Sequence, residues 1–237
     1  RHIDMMELNF GVTDRIIHHL MLSACFTSDI GLFHGRMGIA LAMSEYSRDK
    51  ESDIYFDVAS CLLDNIMENV HKNLACSFDT GLPGIGWGIE YLIQHGFVEG
   101  ESVDICEEID QKIMETDPKR ITDFSLDTGF EGLLHYVIYH LQGAINQNTK
   151  LPFDDGYLSD LYDVCTQLKV QEGSEVLYLL LDVYKQFYLS GTIKNYNVTL
   201  IDFVSVESGD LSEKITSYPL GLKGGLAGKL LKNIFAK

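Results

Sequence analysis

Ten residues constrain this chain more than any others: Gly31-Leu32-Phe33-His34-Gly35-Arg36-Met37-Gly38-Ile39-Ala40. The pattern returns three times in altered form. Gly221-Leu222-Lys223-Gly224-Gly225-Leu226-Ala227-Gly228 keeps the outer glycines at full span. Gly81-Leu82-Pro83-Gly84-Ile85-Gly86-Trp87-Gly88-Ile89 and Gly129-Phe130-Glu131-Gly132-Leu133-Leu134-His135 are looser copies. A polar run precedes each copy and an apolar run of helix length follows, as in a repeat protein. Starts at Gly31, Gly81, Gly129 and Gly221 lie 50, 48 and 92 residues apart. The last interval is about two units long and leaves room for a degenerate copy near Gly173.

Between the glycine runs, two kinds of helix alternate. Residues 2–24 read as the first outer helix, with Ile3, Met6, Phe10, Ile17 and Leu20 apolar. Residues 38–46 are apolar on nearly every side, the mark of an inner helix. Residues 53–73 are amphipathic, with Ile54, Val58, Cys61, Leu62, Ile66 and Val70 on one face. The alternation continues with inner helices over 84–95 and 130–142 and outer helices over 101–116 and 155–170. A degenerate inner unit follows from Gly173. Residues 198–206 fit a strand or a short outer helix, and a last inner helix opens at Gly221. Five outer–inner pairs result, in one all-α domain spanning 1–237. Pairs of near-constant length point every inner helix the same way and gather the glycine loops at one end. There the glycines allow close backbone approach, and the helix dipoles would build an electropositive floor. Gly31, Gly35, Gly38, Gly81, Gly84, Gly88, Gly129, Gly132, Gly221, Gly224 and Gly228 are the glycines assigned this structural duty.

Composition narrows the function. Lys+Arg total 18 against 35 Asp+Glu, a formal charge of −17. Such a field repels phosphate backbones and attracts cationic peptides or metal ions. The 5 cysteines are an odd number without a Cys-x-x-Cys, and read as reduced core residues of a cytoplasmic protein. No apolar run reaches the length of a membrane span.

The segments Gly-Leu-Phe-His-Gly-x-x-Gly-Ile-Ala-Leu-Ala and Gly-Leu-Pro-Gly-Ile-Gly-Trp-Gly resemble repeat signatures of the lanthionine synthetase C-like family, the lantibiotic cyclases and their relatives. The resemblance implies an α/α toroid of outer–inner helix pairs with Gly-x-x-Gly loops at one mouth, here a short version of about five pairs. It also implies peptide modification. Catalytic relatives hold zinc with two cysteines and a histidine, in Cys-Tyr-Gly and Cys-His-Gly loops, to activate a substrate thiolate. The corresponding loops here read Phe33-His34-Gly35, Asp79-Thr80-Gly81, Asp127-Thr128-Gly129 and Pro219-Leu220-Gly221. No family zinc ligand carries over and no cofactor is expected. The expectation is a peptide-binding member without the zinc cyclase site.

His34 matches a His-Gly loop of the family and is the candidate acid or base, against the alternative of a loop histidine bonded to a carbonyl. Asp79, Asp127 and Glu131 are candidate ligand-binding carboxylates at the mouth, against a capping role. His135 and Trp87 are candidate lumen residues, against core packing. Two other readings stay open. One is a glycosidase-like α/α toroid using a carboxylate pair drawn from Asp79, Asp127 and Glu131. The other is a structural partner protein.

Overall fold

The computed structural model describes residues 11–70, 74–169, 174–206 and 215–236. Ile3, Met6, Phe10 and Gly173, used above, lie outside them, as do residues 71–73 of the expected helix 53–73. Among the described residues the chain is all-helical and has no strand.

Helices α2 (Arg36–Lys50), α4 (Leu82–Gln94) and α7 (Phe130–Gln147) are buried along nearly their whole circumference. They are the inner helices that the apolar runs predict. α10 (Leu226–Phe235) buries its first two turns. α1 (Val12–Ser23), α3 (Asp53–Asn69) and α8 (Asp155–Gln167) bury a single stripe each. The inner helices pack as neighbours in the order α10, α2, α4, α7, and α7 then packs on α9 (Glu175–Ser190). Two glycines let them crowd. A Cβ on Gly88 would lie 2.5 Å from Met37 of α2, and one on Gly86 would lie 2.3 Å from Tyr136 of α7.

Four details depart from the periodicity. The outer helix expected over 101–116 breaks at Cys106 into α5 (Ser102–Ile105) and α6 (Glu107–Met114). On α3 the buried stripe is Ala59, Leu62 and Ile66, whereas Ile54 and Cys61 face solvent. α9 is amphipathic rather than buried all round, with Val176, Tyr178, Leu179 and Leu189 exposed. Residues 198–206 hold neither strand nor α-helix but one 3₁₀ turn, Leu200–Phe203. The fifth outer helix is missing among the described residues. Its stretch of chain instead sends Tyr196 and Phe203 into the centre.

That centre is a packed aromatic cluster. Trp87 stacks on Tyr91 and Tyr139, with ring centroids 5.5 and 5.1 Å away, and meets Phe203 edge-on at 4.9 Å. Phe203 also packs against Phe33, Phe78 and His135. Edge-to-face and offset pairs of this kind add roughly 0.5–1.5 kcal/mol each beyond the area they bury.

Candidate functional site

The glycine loops meet at one end of the inner helices, and their structure fixes a register that sequence spacing alone misplaces. The equivalent residues are the helix N-caps Gly35, Gly81, Gly129 and Gly225, which share one backbone conformation (φ −107 to −116). In each loop the first helical N–H donates to a carbonyl seven residues back: Arg36 to Asp29, Leu82 to Ala75, Phe130 to Asp123 and Leu226 to Pro219, at 2.8 to 3.0 Å. The fold-back leaves no space for a side chain three residues into each helix. A Cβ on Gly38, Gly84, Gly132 or Gly228 would sit 1.9 to 2.2 Å from a carbonyl oxygen of its own loop. Gly-x-x-Gly is thus the signature of a loop pressed against the end of its own helix.

The register corrects two expectations. Gly225, not Gly221, is the fourth N-cap, so the loop that matches Phe33-His34-Gly35 is Lys223-Gly224-Gly225 rather than Pro219-Leu220-Gly221. Gly224 is the counterpart of His34 and has φ +66 with open space around it. The N-caps lie 46, 48 and 96 residues apart, a more even period than the glycine starts suggested. The electropositive floor is also weakened, because the leading N–H groups that would face an anion are bonded to loop carbonyls.

The two residues before each N-cap differ between loops, and the first of them forms a ladder. Lys223 N–H donates to the Phe33 carbonyl (3.1 Å), Phe33 N–H to Asp79 (2.9 Å), and Asp79 N–H to Asp127 (3.0 Å). The side chains close this arc into a cycle. The Lys223 ammonium lies 3.9 Å from the centroid of the Phe33 ring and pairs with the Asp127 carboxylate. Glu131 is half-buried and within electrostatic reach of both charges. Burial pushes its carboxyl up, the charge of Asp127 adds to the rise, and Lys223 opposes it.

The remaining candidates separate into two groups. His34 is exposed on the first loop. The Asp79 carboxylate accepts from the N–H and hydroxyl of Thr80 at 2.7 and 3.2 Å, so it braces its own loop and does not cap the helix. Trp87 and His135 lie deeper and are fully buried. Both reach the Tyr196 hydroxyl, the indole N–H donating at 3.2 Å and the His135 Nδ1 lying 3.1 Å away. Burial drops His135 to about 3, so its ring is neutral at ordinary pH.

The loops lack the two-cysteine, one-histidine set that the family resemblance ties to zinc. The ladder positions hold Lys223, Phe33, Asp79 and Asp127, and the Lys223 ammonium pairs with the Asp127 carboxylate. Burial pushes the thiol of Cys76, on the second loop, up from its ordinary range. Among the described residues no group of three or more His, Cys, Asp or Glu side chains could hold a metal ion. Of the five thiols, Cys106 and Cys165 are core residues as expected, but Cys25 and Cys61 are exposed.

A second cluster was not anticipated. His140 of α7 lies between two carboxylates, its Nδ1 2.7 Å from Glu90 of α4 and its Nε2 3.0 Å from Asp110 of α6. Tyr136 donates to the other oxygen of Asp110 at 2.6 Å and Gln94 to the other oxygen of Glu90 at 2.8 Å. Burial raises the Asp110 carboxyl and the hydrogen bond from His140 opposes that rise; with both carboxylates ionised each can only accept, so both ring nitrogens donate and His140 is an imidazolium. Burial opposes that charge, but the hydrogen bonds to Asp110 and Glu90 outweigh it and raise His140 to about 9. The signal in the sequence is a Glu and a His inside helices that are otherwise apolar all round. Such residues need partners from neighbouring helices. Asp110 also borders a groove of about 280 Å³ between α5–α6 and residues 150–154.

No protein-family model, no curated protein and no solved structure matches this chain.

Proposed function

We propose that the chain is a short lanthionine synthetase C-like α/α toroid that binds a cationic peptide over its ring of glycine loops, without a zinc cyclase site. The cycle of four equivalent loops and the alternation of inner and outer helices support the toroid. One observation carries the binding reading: the loop face already seats a cation, with the Lys223 ammonium over Phe33, paired to Asp127 and within electrostatic reach of Glu131. Asp79 and the exposed His34 lie on the same loops. Within a chain of formal charge −17 the long-range field adds to this local preference. The glycosidase-like alternative needs a solvated cavity between paired carboxylates, and the space between the inner helices is filled by Phe78, Trp87, Tyr196 and Phe203. Trp87 and His135 then serve the site as the rigid support beneath it.

The test is titration of a basic and an acidic peptide library against the wild type and an Asp79→Asn/Asp127→Asn variant. Basic peptides are expected to bind preferentially, and several-fold more weakly once salt shortens the Debye length to about 8 Å. Equal affinity for both libraries, or an unchanged affinity in the double variant, overturns the reading.

A further inference from the structure

The loop ring carries its own mimic of the ligand. Lys223 is the only basic residue at the four ladder positions, which otherwise hold Phe33, Asp79 and Asp127. Its backbone is fixed by the hydrogen bond from its N–H to the Phe33 carbonyl and by Gly221. A Cβ on Gly221 would lie 2.4 Å from that same carbonyl oxygen. The side chain is not fixed in the same way. It lies over the face of Phe33, a quarter exposed, and ends at the Asp127 carboxylate, which is itself about half exposed. An aromatic face, a carboxylate that pairs and a second carboxylate within electrostatic reach form a seat for a primary ammonium. Glu131 is the part that Lys223 leaves over: a half-buried carboxyl, raised by burial and by Asp127, with the ammonium offsetting only part of that rise. A ligand ammonium nearer to Glu131 than Lys223 would offset more of that rise.

We infer that Lys223 is a tethered competitor: its ammonium occupies the seat in the free protein and swings out when a lysine side chain of a bound peptide takes its place. The inference rests on the cationic-peptide reading and adds to it both the ligand group, a primary ammonium, and the gate. The ion pair is part-exposed and such pairs contribute little, so what the incoming ammonium must replace is chiefly the contact with the buried Phe33 ring, which it makes in turn. A ligand that needs an empty seat binds with an affinity reduced by the fraction of molecules in which the seat is empty.

The experiment uses the full chain and a fluorescein-labelled peptide of alternating glycine and lysine, with its Nε-acetylated form as control. Lys223→Met is expected to tighten binding of the lysine peptide about tenfold, as for a seat filled nine-tenths of the time. Glu131→Gln is expected to weaken binding in both the wild-type and the Lys223→Met backgrounds, and the acetylated peptide to bind neither. A second measurement needs no variant. Acetylation of lysines by an amine-reactive ester, read by mass spectrometry, should rise at Lys223 when the lysine peptide is added and stay unchanged at exposed Lys119. Unchanged affinity in Lys223→Met, or protection of Lys223 by the peptide, overturns the tethered competitor while leaving cationic-peptide binding intact. No preference for the lysine peptide over its acetylated form in either protein overturns both.

Discussion

Glu90 fills the space that a side chain on Gly143 would need: a Cβ there would lie 1.8 Å from the Glu90 Oε1. Glu90 is fully buried and committed to His140 and Gln94, so it has nowhere to retreat. Gly143→Ala should therefore destabilise the protein by about 3 kcal/mol or more, although alanine is favoured over glycine in a helix by roughly 1 kcal/mol. Urea unfolding followed by circular dichroism measures the difference. A gain in stability would show that Glu90 can leave the cluster.

The loop register makes a sharper distinction between glycines. Gly84→Ala and Gly132→Ala would drive a Cβ into a backbone carbonyl, at 1.9 and 2.2 Å, and neither backbone can yield without opening the fold-back. Gly224→Ala meets nothing within 4 Å and carries only the strain of φ +66. The first two should lose several kcal/mol and the third about 1 kcal/mol. Melting temperatures of the three variants, compared side by side, decide whether the close approach or the backbone angle governs the motif.

Two buried histidines set opposite limits on stability with pH. His135 drops to about 3 in the folded chain, whereas an unfolded histidine titrates near 6.5. The unfolded chain therefore takes up the proton first, and stability is lost as pH falls from about 6.5 towards 3. His140 rises to about 9, so its contribution is complete below about 6.5 and is lost as pH rises to 9. His135→Phe should flatten the acid limb and His140→Gln the alkaline limb, each by a few kcal/mol across its window, in urea titrations from pH 4 to 9. His140→Gln should also lower stability at neutral pH, because it leaves Glu90 and Asp110 facing each other without the cation.

Much of the architecture was legible because burial leaves a periodic trace. Met37 to Met43 is apolar throughout and Leu133 to Leu141 nearly so, broken only by His135 and His140, and the helices they form are buried on every face. The last loop was misread by four residues because Gly221 and Gly225 both stand where a glycine could cap the helix. Only the bond from Leu226 to Pro219 shows which of them caps the helix. Ile54 and Cys61 were placed on the buried face of α3 because they share the period, but burial is decided by what packs opposite. The Glu90–His140–Asp110 cluster joins three helices distant in sequence, so no local spacing announces it. Among the loop candidates, residue type marked Asp127 and Glu131 as charged, but the cation that links Asp127 to Phe33 is a fact of folding.

The aromatic centre has a consequence for the order in which the molecule can be completed. Its walls, from Phe33 to Tyr139, are synthesised first, whereas the rings that fill it, Tyr196 and Phe203, emerge long afterwards. Until residue 203 has left the ribosome, the nascent helices surround an unfilled apolar space, with Trp87 and His135 lacking the Tyr196 hydroxyl they share. Contacts of such long sequence separation form late and slowly, and exposed apolar surface in the interval invites misassociation. The segment that, among the described residues, stands in place of a fifth outer helix thus acts as a keystone, the last part needed to close the aromatic centre.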